Sequence, residues 1–386
     1  MSSITTQTVV SAPITNVADI GAAAGLNTLP QGFPASIPGE LAWVGSGFSN
    51  GEEWVYHLTK SDVDEVRKAV TCFKDLGADA AFSIADLGLD GSKIGLDNFE
   101  LPSLGKKLLQ LSLDVHKGRG FTVIRGLNPA DFSVEDLTLA YMGISAHIAD
   151  KRGRQDRKGN MLVHIVADKA HKNHHRHSTD PITFHNEETG DVISWLTRST
   201  AAVGGKCVIA SAATIYNVLA ATRPDLIRVL AREDWPFAFP RYHCRPVLFH
   251  QDGQLVMNFG RVPLLGSAAH PRKAHLPTIN AQQLEALDAI EAIARATEFQ
   301  FSTVAGDLHF INNLSILHRR DGFVDGESTD EKRHLVRMRL RSSALGYTIP
   351  QALGRDWSDA FEKEGDRVWH IQPMPDTYFP LRTGPN

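Results

Sequence analysis

Two segments far apart in the chain carry residue types able to hold one metal ion. One is Phe184-His185-Asn186-Glu187; the other runs from Gly306-Asp307 through His318 to Arg333 and Arg337. In an extended segment, residues two apart share a face. His185 and Glu187 therefore offer an imidazole nitrogen and a carboxylate oxygen to the same cation, and His318 would complete the set. Two histidines and one carboxylate occupy one side of an octahedral ion and leave positions for a chelating ligand and dioxygen, the arrangement of non-haem Fe(II) oxygenases. Glu188 is the fallback carboxylate, although in a strand it would point to the opposite face. His-x-Glu is a weak pattern in a chain with 17 histidines, most of which have the ordinary role of partly exposed, hydrogen-bonded side chains. The dense run His171-Lys172-Asn173-His174-His175-Arg176-His177 reads as an exposed loop, because metal ligands need a rigid surrounding shell.

Arg333 to Arg341 alternates strictly. Arg333, Leu335, Arg337, Arg339 and Arg341 share one face, while His334, Val336, Met338 and Leu340 form a largely apolar face fit for packing. Two readings follow for the cationic face: a solvated edge strand, where charge deters edge pairing, or an anion clamp beside the metal.

The residues also resemble those of a known family, the taurine dioxygenase/TfdA-like Fe(II)- and 2-oxoglutarate-dependent oxygenases, and in particular its fungal branch. The matching stretches include Leu41-Ala42-Trp43, Glu53-Trp54-Val55-Tyr56, Gly118-Arg119-Gly120-Phe121, Arg125-Gly126-Leu127 and Arg152-Gly153-Arg154-Gln155-Asp156. Further on come Phe184 to Glu187, Gly204-Gly205, Arg223-Pro224-Asp225-Leu226, Gly306-Asp307, Asn312-Asn313, His318 and Arg333-His334-Leu335, so the resemblance spans about residues 40–360.

That resemblance implies Fe(II) as metal, 2-oxoglutarate as co-substrate and O2 as oxidant, with His185, Glu187 and His318 as catalytic iron ligands. It implies that Arg333 pairs with the far carboxylate of 2-oxoglutarate and that Arg337 meets substrate; a planar guanidinium fork suits both tasks. Thr183, close to His185, is a further substrate-binding candidate. Two departures stand out. Fungal relatives place Asp where this chain has Glu187, and the hydroxyl expected after Gly204-Gly205-Lys206 is replaced by Cys207, whose thiol is a poor donor. Ser211 or Thr214 is the nearby hydroxyl that could compensate, and a small buried core residue is the plain alternative for Cys207.

The function implied is oxidation of an unactivated C–H bond in a small anionic substrate, an amino acid or related carboxylic acid, in fungal secondary metabolism. Hydroxylation, desaturation or ring closure, such as aziridine formation from valine, would all suit. The alternatives are a sulfonate- or taurine-type catabolic dioxygenase, a non-catalytic cupin-like metal-binding protein, and a Zn(II) hydrolase.

The elements that must position these residues read as follows. Helical spacing marks Ser61 to Gly77 with a capping pattern at Ser61-Asp64, then Leu104–Lys117, Ser133 to about Ile148, Ala212–Ala231 and Ala281–Glu298. Strands are expected at Phe121–Ile124, Val192–Leu196, Cys207–Ala210, Phe299–Val304 and Leu308–Ile311, with a hairpin in Val247–Phe259 turning at Asp252-Gly253. The fold class expected is mixed α/β, mainly β: a double-stranded β-helix (jelly roll) core with flanking helices. One catalytic domain, 39–386, would comprise a largely helical scaffold (39–180), the metal-bearing core (181–345) and a C-terminal extension (346–386). Residues 1–38 read as a loosely ordered arm suited to docking on a second copy in a homo-oligomer.

Composition excludes other classes. A chain of 386 residues with 42% hydrophobic and 22% charged residues supports a large core. Its net charge of −4 gives no attraction to nucleic acid or an anionic membrane surface. Cys72, Cys207 and Cys244 lie far apart, which suits free thiols in a reducing compartment. No basic leader or apolar span occurs, so a cytoplasmic enzyme with a small-molecule partner is expected.

Overall fold

The structure is a computed structural model that describes residues 28–48, 53–78, 91–167, 177–268 and 270–370. Two sheets face each other across an apolar interior. The larger runs in the order Val55–His57, Phe121–Arg125, Leu308–Asn312, Val192–Ser199, His334–Arg341 and Lys151–Gly153, with Val163–Val166 also paired to His334–Arg341. The smaller has the order Phe299–Phe301, Cys207–Ser211, Ile316–Arg320, Ile182–His185 and is antiparallel throughout. Phe121, Val123, Ile193, Trp195, Ile311 and Leu335 from the large sheet meet Cys207, Ile209, Phe299, Phe301 and Ile316 from the small one.

Helices cover the outer faces. Ile124, Leu196, Phe310, Val336, Met338 and Leu340 pack with the buried stripes of helices Lys60–Ala78, Leu104–His116 and Val134–Ile148. On the other side, Phe184, Val208, Ala210 and Leu317 pack with Ala212–Thr222, Pro224–Leu230 and Ala281–Thr297. The sequence alternation of His334–Arg341 is thereby explained. The strand is central, flanked by Val192–Ser199 on one side and by Lys151–Gly153 and Val163–Val166 on the other, so both its faces are buried and the solvated-edge reading is excluded.

Several local expectations change. The first helix is capped two residues earlier than expected: Thr59 Oγ1 accepts from Asp62 N at 3.2 Å, while the Asp62 carboxylate accepts from Thr59 N at 2.9 Å. The helix expected over Ala212–Ala231 is two helices parted at Arg223, because Pro224 lacks an N–H and opens a new helix. Residues 28–38 are not loose. Leu29, Phe33 and Ile37 pack on the core beside the small sheet, and Asn217 exchanges two hydrogen bonds with the Ile37 main chain. Residues 1–27 of the expected arm, residues 371–386 of the C-terminal extension and all but His177 of the histidine-rich run lie outside the described residues. The segment before the metal motif is not only helical scaffold, since Lys151–Gly153 and Val163–Val166 join the large sheet.

Gly306 shows why a two-residue motif can be sequence-legible yet not catalytic. Its φ is +90°, and an added Cβ would lie 1.7 Å from the Leu127 carbonyl oxygen, so only glycine fits there. Neighbouring Asp307 is fully buried and takes a two-pronged ion pair from Arg125, at 2.8 and 2.7 Å. This motif fastens strand Leu308–Asn312 to strand Phe121–Arg125.

Candidate metal centre

Phe184 and His185 are neighbours on an edge strand of the small sheet, so alternation sends them to opposite faces. Phe184 enters the core on the helical side, and His185 faces the space between the sheets. His318 lies directly across from His185 in the antiparallel ladder, with ring centroids 4.3 Å apart. Directly opposed positions are the closest side-chain neighbours a sheet offers.

Glu187 reaches the same point by another route. The strand ends at His185, so the expected two-residue repeat does not place the carboxylate. Two asparagines do. Asn313 Oδ1 accepts from Glu187 N at 2.7 Å, and Asn313 Nδ2 donates to the carbonyls of Glu187 and Gly190, both at 2.9 Å. Asn186 Nδ2 donates to the carbonyls of Asn313 and Ile316, and its Oδ1 accepts from Phe259 N. The bend after His185 is thus tied to the loop preceding the His318 strand, and Glu187 is held in place with its side chain almost wholly buried. Both asparagines stood in the sequence motifs without a role; only their interlock reveals one.

One donor atom each from His185, Glu187 and His318 lies within 4.8 Å of the others, the one such cluster of three among the described residues. His185 Nδ1 donates to the Thr183 carbonyl at 2.9 Å, which leaves the Nε2 lone pair directed to the site, 3.8 Å from Glu187 Oε1. Two imidazole nitrogens and one carboxylate oxygen suit a divalent iron ion, and these residues therefore fit the group. Thr183 serves through its backbone carbonyl; its side chain is exposed and does not line the cavity.

The cavity is lined by His185, Glu187 and His318, by Ile165, Ile182, Ile193, Trp195 and Leu335, and by Cys207, Arg319, Arg320, Arg333 and Arg337. Only two of the four arginines expected on one face reach it. Arg337 donates to Glu187 Oε1 at 2.5 Å and to Gln155 Oε1 at 3.0 Å, so its fork grips the metal-facing carboxylate itself. Arg339 turns to Glu188 at 3.0 Å, which removes Glu188 as a fallback ligand, and Arg341 pairs with Asp191 at 3.0 Å. Arg333 is different. Among the described residues its guanidinium has no hydrogen-bonding acceptor; it lies 5.5 Å over the Phe323 ring, and burial draws it down to about 10, still charged at neutral pH. An added Cβ on Gly205, at φ +71°, would press on Arg333 Cδ at 3.2 Å.

Cys207 lines the cavity beside Arg333, and burial pushes its thiol up to about 12, so it stays neutral. The compensating hydroxyls expected nearby are otherwise engaged. Ser211 caps helix Ala212–Thr222 by accepting from Thr214 N and donates to the Leu41 carbonyl, while Thr214 Oγ1 donates to the Trp43 carbonyl. Ser211 is therefore corrected from co-substrate contact to helix cap.

A family model described as Taurine catabolism dioxygenase TauD, TfdA family matches residues 83–339. Taurine hydroxylase-like protein SAT17 of Stachybotrys chartarum is 34% identical over 352 residues, covering 87% of this chain and 88% of that protein. Among solved structures, an asparagine oxygenase in complex with Fe(II), 2S,3S-3-hydroxyasparagine and succinate superposes with a TM-score of 0.59 at 15% identity, covering 76% of this chain and 98% of that one. The non-heme iron oxygenase OrfP in complex with Fe and alpha-ketoglutaric acid gives 0.56 at 18% identity, covering 75% and 94%.

Proposed function

Because the chain belongs to the TauD/TfdA family of Fe(II)- and 2-oxoglutarate-dependent oxygenases, we propose that it oxidises an unactivated C–H bond of a small anionic substrate, an amino acid or related carboxylic acid. The observation that carries this reading is the convergence of His185, Glu187 and His318 with the uncommitted guanidinium of Arg333 in one cavity. The core that bears them is a double-stranded β-helix, and residues 39–386 act as one catalytic domain.

His185, Glu187 and His318 hold the iron, and Arg333 anchors the far carboxylate of 2-oxoglutarate. Bound iron supplies oxidising power by coupling the reduction of dioxygen to the conversion of 2-oxoglutarate into succinate and carbon dioxide. The chain's own residues do the rest. The Thr183 carbonyl fixes the His185 tautomer, Asn186 and Asn313 fix Glu187, and Arg337 orients its carboxylate while lending the cavity positive charge. Trp195, Leu335, Ile165 and Ile193 keep water from the reacting atoms, which strengthens each charged contact.

The neighbouring structures support the substrate class, since their names specify hydroxyasparagine and hydroxy-arginine ligands. A place in fungal secondary metabolism belongs to the same reading, with hydroxylation, desaturation and ring closure as the outcomes a panel must separate; the relative from Stachybotrys chartarum, named as taurine hydroxylase-like, supports the family. The test is mass spectrometry of amino, carboxylic and sulfonic acids incubated with the enzyme, Fe(II), ascorbate and 2-oxoglutarate. Succinate release coupled to an oxidised amino or carboxylic acid is expected; oxidation of sulfonates alone would replace this reading with a taurine-type one.

A further inference from the structure

Arg333 stands between two chambers. Beyond the metal cavity lies a second one of about 240 Å³, lined by Thr197, Ser199–Ala202, Gly204–Lys206, Ser302 and Thr303. Trp195, Cys207, Arg333 and Leu335 line both. Of the hydroxyl-bearing residues in the second chamber, Thr197 alone is fully buried, and its Oγ1 has no hydrogen-bond partner among the described residues. A buried hydroxyl left unmatched costs free energy, so its persistence calls for a ligand. Its main chain is fixed at both ends: Thr197 N donates to the Asp307 carbonyl at 2.9 Å, and the Thr197 carbonyl accepts from Gly306 N at 2.7 Å. Thr197 pairs with Leu335 across the ladder, the register shifts between Leu335 and His334, and Thr197 and Arg333 both line the second chamber.

We infer that Thr197, not residue 207, supplies the hydroxyl that shares the far carboxylate of the co-substrate with Arg333. This rests on Arg333 as the anchor of 2-oxoglutarate. The chemistry is a charge-assisted pair of contacts: the guanidinium donates from one side, and the threonine O–H donates from the large sheet. Cys207, with a weak S–H donor, becomes a small wall residue between the chambers, and the carboxylate sits on the second-chamber side of Arg333.

The test is calorimetric titration of the anaerobic, Fe(II)-loaded full chain with 2-oxoglutarate and with pyruvate, which has the same keto-acid end but no far carboxylate. Thr197→Val should weaken 2-oxoglutarate about tenfold, the order expected for one lost hydrogen bond to a charged group, and leave pyruvate unchanged. Thr197→Ser should stay within about threefold of the parent, and Cys207→Ala within about twofold. Thr197→Val binding 2-oxoglutarate as the parent does, while Arg333→Ala loses it, would overturn the inference and leave the anchor intact. Equal weakening of both ligands would overturn it as well, by reducing Thr197 to a structural role. If Arg333→Ala binds 2-oxoglutarate normally, the anchor itself fails, and this inference with it.

Discussion

Among the described residues, two pairs of histidines meet ring to ring, His185 with His318 and His164 with His334, and only the first is fit to hold iron. His185 and His318 lie with ring centroids 4.3 Å apart; His164 and His334 lie 5.1 Å apart on neighbouring strands of the large sheet. In the second pair the nitrogens bond to protein. His164 Nε2 donates to the His370 carbonyl at 2.7 Å, so its Nδ1 accepts from His334 Nε2 at 2.8 Å. Burial pulls His164 down to about 3 and His334 well below its usual value, which keeps both neutral. In the first pair, His185 commits Nδ1 to a carbonyl and turns Nε2 toward a buried carboxylate. Proximity of histidines does not make a metal site; the direction of the remaining lone pair and a carboxylate beside it do.

The contrast breaks most decisively if a ligand is removed. His185→Ala or His318→Ala should abolish 2-oxoglutarate decarboxylation and lower iron content after desalting, a loss beyond the ~100-fold typical of supporting residues; full activity in either variant would refute the triad. Arg333→Ala should weaken 2-oxoglutarate binding by about 2–5 kcal/mol, the usual cost of leaving a buried charge without its partner, readable as a rise in the co-substrate dissociation constant.

Smaller effects sharpen the comparison. Asn313→Ala leaves all three ligands in place but releases Glu187, so iron affinity should fall about 10- to 100-fold, measured by competition with a chelator. His164→Phe should cost about 1–3 kcal/mol of stability by stranding its bonding partners while iron binding stays at the parent level; loss of iron there would mean the two histidine pairs are coupled. A separate effect is on pH. His116, His243 and His309 are each pulled down to about 4 by burial, and His164 to about 3. With folded values below the unfolded one near 6.5, the unfolded chain binds more protons across that window. Stability is therefore fully present above about pH 6.5 and is lost as pH falls toward 4. Thermal midpoints measured from pH 7 to 4 should decline steadily, and a flat profile would show that these histidines are not buried neutral.

What could be read in the sequence were features that depend on local pattern and side-chain chemistry. The alternation of His334–Arg341 gave its two faces, helical spacing gave the stripes that cover the sheets, and the residue types of His185, Glu187 and His318 pointed to a divalent metal, with iron implied by the family resemblance. The tertiary structure decided which groups remain available to a ligand, because long-range pairing leaves no local trace. Arg339 and Arg341 carry the same pattern as Arg333, yet Glu188 and Asp191 neutralise them and leave Arg333 to the cavity. Ser211 reads as a co-substrate donor until helix Ala212–Thr222 claims its hydroxyl, and Thr197, just past the strand expected over Val192–Leu196, has no role in the sequence until burial leaves its hydroxyl without a partner among the described residues. The sequence determined the kind of chemistry through side-chain type. Only the folded chain, by matching donors with acceptors across distant segments, decided which of those side chains are left to perform it.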